Sequence, residues 1–170
     1  AQRRGITLAS IPKILGWGHR TARIAFDDKV AESAGNPYIL PHTRQAILDA
    51  FTRAGIADCW AVDAIETHDC FTTSEYMAID HFGLTAPGES WKAVEDGTIA
   101  MGGRLPINPS GGLIGAGHPV GATGVRQLLD AWKQVTHTAG DFQVEGAKRV
   151  ATLNLGGSGT ITGSVTNSGT

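Results

Sequence analysis

The sequence predicts a layered α/β domain, a mixed β-sheet with helices packed on it. Three observations carry this. Short apolar, β-branched runs alternate along the chain with segments whose apolar residues recur at helical spacing. Of 170 residues, 41% are hydrophobic and 18% charged, which is enough apolar mass for one core and too much for a disordered chain. Glycine, at 23 residues, is nearly twice the ~7% average and gathers between the periodic segments, with no collagen-like period and no linker-like padding. Such clusters imply backbone in unusual conformations or in close approach to another group.

The elements follow in order. Residues 10–17 (SIPKILGW) read as a strand, with Ile11, Ile14, Leu15 and Trp17 between turn residues. Residues 18–41 are polar, are broken by Gly35, Pro37 and Pro41, and read as a long loop. A helix is expected over 43–54, where Ile47, Ala50, Phe51 and Ala54 share a face and Gly55 stands where a C-terminal glycine belongs. Residues 61–67 read as a short strand leading into His68-Asp69-Cys70-Phe71. The next helix has a capping-box candidate in Thr72 and Glu75, an apolar face of Tyr76, Ile79 and Phe82, and a stop at Gly83. A smaller helix is expected over 91–96, with Ser90 as N-cap and Gly97 after it. The strongest helical stripe is Val125, Leu128, Leu129, Trp132 and Val135, with Arg126, Asp130 and Lys133 on the polar side. Strands over 149–155 and 160–166 close the chain. The opening residues look like the tail of a helix feeding a strand, as if the chain began partway through a fold.

Charge and cysteine content narrow the function. Fourteen Lys and Arg stand against sixteen Asp and Glu, a net charge of −2 with no basic stripe, so nucleic acid is not an expected partner. No apolar run approaches the ~20 residues of a membrane span, and AQRRGITLAS carries no apolar signal-peptide core. Cys59 and Cys70 cannot build a disulfide framework, so a reducing, cytoplasmic setting is expected. His19, His42, His81, His137 and Cys59 lack ligand spacing, so no metal site is expected, and each reads as a surface or half-buried side chain.

Three loops hold the chemistry-bearing residues. His68 and Cys70 lie at a strand end, where α/β sheets place functional groups. Cys70 reads either as a small buried hydrophobe or as a thiol tuned by His68 and the helix start downstream. The second loop, 108–124 (NPSGGLIGAGHPVGATG), combines many glycines with one imidazole, His118, just before the strongest helix. It matches neither the Walker nor the G-x-G-x-x-G spacing. An anion cradle, a loop that brings backbone and His118 against a substrate, and a plain solvated loop all remain open. The third, Gly156-Gly157-Ser158-Gly159, is either a hairpin turn or a set of backbone donors for an oxyanion.

Together these loops resemble the thiolase family, in particular the thiolases associated with sterol carrier proteins and lipid transfer. NPSGGLIGAGHPVGATG resembles the family signature around the catalytic histidine. His68-Asp69-Cys70-Phe71 is similar to the sterol-carrier variant of a motif that is Asn-Glu-Ala-Phe in other thiolases, and NLGGSG (154–159) resembles the terminal glycine turn. The resemblance spans the whole chain, 1–170, as a thiolase C-terminal domain, and implies a sheet of five-stranded type without its first strand and without the N-terminal half.

The resemblance also implies roles. His118 would deprotonate a nucleophilic cysteine and contribute its ring N–H to a first oxyanion hole. His68 would hold that hole's water. Cys70 would move the proton at the substrate α-carbon. Backbone around Gly157 and Ser158 would form a second oxyanion hole, and Phe71, Gly117 and Pro119 would line the coenzyme A channel. Gly156 stands where most thiolases carry a second catalytic cysteine, and Cys59 does not match the nucleophile. The implied activity is thiolytic cleavage or Claisen condensation of acyl-coenzyme A, with coenzyme A thioesters as substrates and no permanent cofactor. The implied partners are an N-terminal half supplying the nucleophile and, through that half, a second copy of the protein. A retro-aldolase acting on steroid side-chain thioesters and a non-catalytic lipid- or partner-binding subunit are the alternatives.

Overall fold

A computed structural model describes residues 5–157 and 160–167. Its strands are β1 (Lys13–Thr21), β2 (Ala64–Glu66), β3 (Arg149–Gly156) and β4 (Thr160–Asn167), and its helices are α1 (Phe26–Ser33), α2 (Pro41–Ala54), α3 (Thr72–Phe82), α4 (Ser90–Glu95), α5 (Gly112–Ala116) and α6 (Thr123–Val135). The sheet order is β1-β4-β3-β2, antiparallel except for the parallel β3–β2 pair. The expected mixed α/β layering is therefore present, with four strands among the described residues and not five. Among the described residues, beyond β2 only Ile107 pairs, by a single parallel bridge to Ile65. Pro106 has no N–H to extend a ladder, and Asn108 at φ +52° turns the chain away.

Strand alternation sorts the two faces. Ala151, Leu153, Ile161 and Val165 meet Ala46, Ile47, Ala50 and Phe51 of α2 in the larger core, which continues to Ile79 and Phe82 of α3. Val150 and Ala64 meet Ala131 and Val135 of α6 on the other face. α2 lies very close to β1, because a Cβ on Gly18 would stand 1.8 Å from the Ala46 carbonyl oxygen and one on Gly16 would stand 2.1 Å from that of Ala50.

Several elements differ from the sequence expectation. β1 runs on to Thr21, and α1 occupies part of the expected 18–41 loop. α1 buries no residue, and its Phe26 and Val30 face solvent, so it lacks a core-facing stripe from which to be read. Thr72 and Ser90 are first helical residues and not N-caps, and neither helix has a side-chain cap. Glu75 instead accepts a hydrogen bond from Asn108 Nδ2 at 3.2 Å. His81 is fully buried, and its Nε2 accepts the Leu40 N–H at 3.0 Å, so it pins the start of α2 to α3.

Val125, Leu129 and Trp132 of the α6 stripe point away from the sheet, while Val135 packs on Ala64 and Val150. Val125, Leu129 and Trp132 are 70%, 48% and 43% exposed, whereas Thr123, Gln127, Asp130, Ala131, Gln134 and Val135 face inward. Polar groups can occupy that face because they are hydrogen-bonded: Gln127 Nε2 donates to the Leu153 carbonyl at 3.3 Å and Gln134 Nε2 to that of Phe142 at 2.6 Å.

Candidate active site

The parallel register of β2 and β3 sets Glu66 beside Thr152. Continuing two residues along each strand sets His68 beside Asn154, and His68 Nδ1–H donates to Asn154 Oδ1 at 2.7 Å. Burial pushes the His68 imidazole below its usual range and the neighbouring His118 adds to this, while the Asn154 bond opposes it. The His68 and His118 rings meet edge to face, with centroids 5.0 Å apart and planes at 89°. His118 Nδ1 shares a 2.7 Å hydrogen bond with the hydroxyl of Thr123, the fully buried first residue of α6.

These rings open on a cleft of about 830 Å³ whose walls include His68, Cys70, Phe71, His118, Asn154, Gly156 and Gly157. All three loops singled out in the sequence thus reach one cavity. Gly117 and Pro119, expected in the channel, are absent from its walls, where Val120 and Gly121 stand instead. Gly117, at φ +104°, ends α5 and Pro119 lies exposed at the surface. Ser158 lies outside the described residues. Cys59 is buried in the main core, where desolvation pushes its thiol up to about 11, so it is an inert core residue. No cluster of potential metal ligands occurs among the described residues.

Hydrogen bonds stitch the 66–69 segment to the 108–113 turn. Thr67 N–H donates to Asn108 Oδ1 at 2.7 Å, and Leu113 N–H donates to Asp69 Oδ1 at 2.5 Å. Ser110 donates its N–H and its hydroxyl to the two carboxylate oxygens of Glu66, at 3.1 and 2.7 Å. Gly112 must be glycine here: it sits at φ +62°, and a Cβ would come within 2.2 Å of Asp69 Oδ2. Asn154, Thr123, Asn108 and Asp69 were not singled out by sequence. The available signals were a polar Asn inside a strand and Asn108 before a proline, and both are weak.

Comparison with known proteins places the chain in a family. The family model described as "Thiolase C-terminal domain-like" matches residues 27–166. An acetyl-CoA acetyltransferase of Methanothermobacter thermautotrophicus is 44% identical over 98 residues, covering 58% of this chain and 26% of that protein. Sterol carrier protein 2 of Gallus gallus is 40% identical over 119 residues, 70% of this chain and 22% of that protein. The human sterol carrier protein 2 is 44% identical over 100 residues, 59% of this chain and 18% of its own length. The matches thus span about a quarter or less of these relatives. A solved structure titled "Ltp2-ChsH2(DUF35) aldolase" shares the fold at a TM-score of 0.73 and 21% identity, over 91% of this chain and 38% of that one. With a family match over most of its length, the chain belongs to the thiolase family, as a domain like the thiolase C-terminal domain.

Proposed function

We propose that this domain supplies the proton-handling half of a thiolase-type acyltransferase acting on acyl-coenzyme A thioesters. The observation that carries the reading is the convergence of His118, His68 and Cys70 with the Gly156-Gly157 turn on one cleft. Cleaving or forming a carbon–carbon bond beside a thioester passes through an enolate, which needs fixed donors and a group that exchanges the α-proton. Cys70 takes and returns that proton, and the backbone at Gly157 faces the enolate oxygen. His118, steadied by Thr123, deprotonates the nucleophile and lends its ring N–H to the thioester oxyanion. His68, held neutral by burial, positions water in that same hole.

The nucleophile is supplied by an N-terminal thiolase half, since Cys59 is sealed in the core. The exposed apolar face of α6, Val125, Leu129 and Trp132, is the surface on which that half packs, and it adjoins the cleft through Val125. Phe71, 70% exposed at the cleft wall, meets the pantetheine arm of the substrate.

The test compares Cys70→Ala and His118→Ala in the enzyme assembled with its N-terminal half. Single-turnover acylation by acyl-coenzyme A should survive Cys70→Ala, while thiolysis falls by roughly 10²–10⁴. His118→Ala should impair both. Near-normal thiolysis in Cys70→Ala would overturn the reading. The retro-aldolase alternative draws on an aldolase of the same fold. It expects cleavage of a β-hydroxyacyl thioester without added thiol and without an acyl-enzyme.

A further inference from the structure

Glu66 is fully buried, carries a carboxyl group and has no part in the proton chemistry above. Alternation along β2 turns it to the same face as Ala64 and His68, toward α6. Both of its oxygens hold Ser110. Beside it, Arg126 Nη1 reaches Ser110 Oγ at 3.4 Å and Asp130 Oδ2 at 2.9 Å, and Lys133 pairs with Asp130 at 3.2 Å. Arg126 Nε and Nη2 are buried with no hydrogen-bond partner among the described residues. An ionised Glu66 matches that excess: Arg126 and Lys133 then face Asp130 and Glu66, two charges of each sign, whereas a neutral Glu66 leaves the cluster one positive charge over.

His118 has two tethers to this point. Backward along the chain, Ser110 leads through the single short helix α5 to His118. Forward, the His118 ring bonds Thr123, three residues before Arg126 on α6. We infer that Glu66 is a titratable positioning residue, whose ionisation state sets the seating of the 108–113 turn and through it the orientation of His118 against His68. This deepens the proposed function, on which it rests for the catalytic status of the two histidines.

The groups that face Glu66 give the switch its range. Burial raises its carboxyl to about 7 and Asp130 of α6 adds to the rise, while both Ser110 hydrogen bonds and the Arg126 charge oppose it. Glu75 of α3 grips the same turn through Asn108 and is itself pushed upward by burial, and Asp69 holds the turn's far end at Leu113. His68, two residues along the same strand, stays largely neutral as Glu66 titrates because burial lowers its imidazole. The carboxyl therefore changes charge near neutral pH.

The test is an NMR pH titration of the 170-residue chain, read on the Ser110 amide, the Glu66 carboxyl carbon and the ring resonances of His68 and His118. The Ser110 amide is expected to shift with a midpoint near 7. The His118 and His68 rings should show an inflection at the same pH, and Glu66→Gln should remove it. Ser110→Ala keeps the carboxyl and the backbone hydrogen bond to it, moves the Glu66 midpoint upward through loss of the hydroxyl hydrogen bond, and should weaken the ring inflections, and it serves if the glutamine variant fails to fold. A Ser110 amide that moves only below pH 5, or ring inflections unchanged in both variants, would overturn the inference. Failure of the thiolase reading would show instead as absent activity with these couplings intact.

Discussion

His68 and Asn154 stand 2.7 Å apart because two parallel strands, β2 and β3, run in a register that pairs Glu66 with Thr152 and so brings the next residues on that face together. The sheet itself orients the His68 imidazole. Asn154→Leu keeps the volume and removes the acceptor, leaving a buried ring N–H unpaired at about 1–3 kcal/mol. The Asn154 bond favours the imidazolium, so its loss should move the His68 midpoint still lower. An NMR titration in which the His68 midpoint is unchanged or higher would contradict this.

The sign of the His68 shift also fixes a pH dependence. A folded-state value below the unfolded one means stability that is present above about 6.5, the unperturbed histidine value, and is lost as pH falls through the lowered native value. His68→Gln should flatten that acid-side loss in denaturant titrations between neutral pH and pH 5. An equal loss in wild type and variant would assign it to other groups.

Cys59 and Cys70 should separate cleanly by reactivity. Cys59 is fully buried with its thiol pushed up to about 11, and Cys70 is half-buried on the cleft wall. Iodoacetamide at neutral pH should add one carbamidomethyl group to the native chain and two after denaturation. Peptide mapping that finds Cys59 modified first would refute the assignment.

Much of this was legible in the sequence, for physical reasons. α2, α3 and α6 announce themselves by periodicity, and the three glycine- and histidine-bearing loops converge as strand-end loops do. α6 shows where such reading stops. Of its stripe of Val125, Leu128, Leu129, Trp132 and Val135, Val135 packs on the sheet while Val125, Leu129 and Trp132 face outward, and the face on the sheet also carries Gln127, Asp130 and Gln134. Periodicity reports that a helix has an apolar side, not which body that side meets. The Glu66–Ser110 and His68–Asn154 contacts join residues 44 and 86 positions apart, and only the register of a folded sheet brings such pairs together.

The closest backbone approach in the main core gives a stability prediction. A Cβ on Gly18 would lie 1.8 Å from the Ala46 carbonyl oxygen and 2.7 Å from its carbon, all main-chain atoms that cannot rotate away. Gly18→Ala must therefore push α2 off β1, at about 3 kcal/mol or more, the upper end for overpacking. Gly102→Ala, with nothing near its Cβ and an ordinary φ, is the control and should be within about 0.5 kcal/mol of wild type. Equal urea midpoints for the two variants would mean that α2 and β1 are less tightly apposed.

Glu66 makes the sharpest stability prediction, because its sign is opposite to that of a carboxylate held in an ion pair. Its folded value, about 7, lies above the 4.5 of an unhindered carboxyl. The unfolded chain therefore ionises first as pH rises, and stability falls between about 4.5 and 7. At 1.36 kcal/mol per pH unit the gap corresponds to about 3 kcal/mol at its fullest. Glu66→Gln keeps the shape, can still accept one Ser110 hydrogen bond and carries no charge to bury. It should match wild type or fall below it near pH 4.5, where both side chains are neutral, and gain on wild type steadily up to pH 8. The Arg126 charge is already part of the value of about 7, so losing that anion in the variant does not reduce the pH-dependent gain, which approaches about 3 kcal/mol. Urea unfolding at several pH values checks the slope. A difference between variant and wild type that stays constant from pH 4.5 to 8 would mean that Glu66 ionises like an exposed glutamate and that its burial is compensated by Ser110 and Arg126.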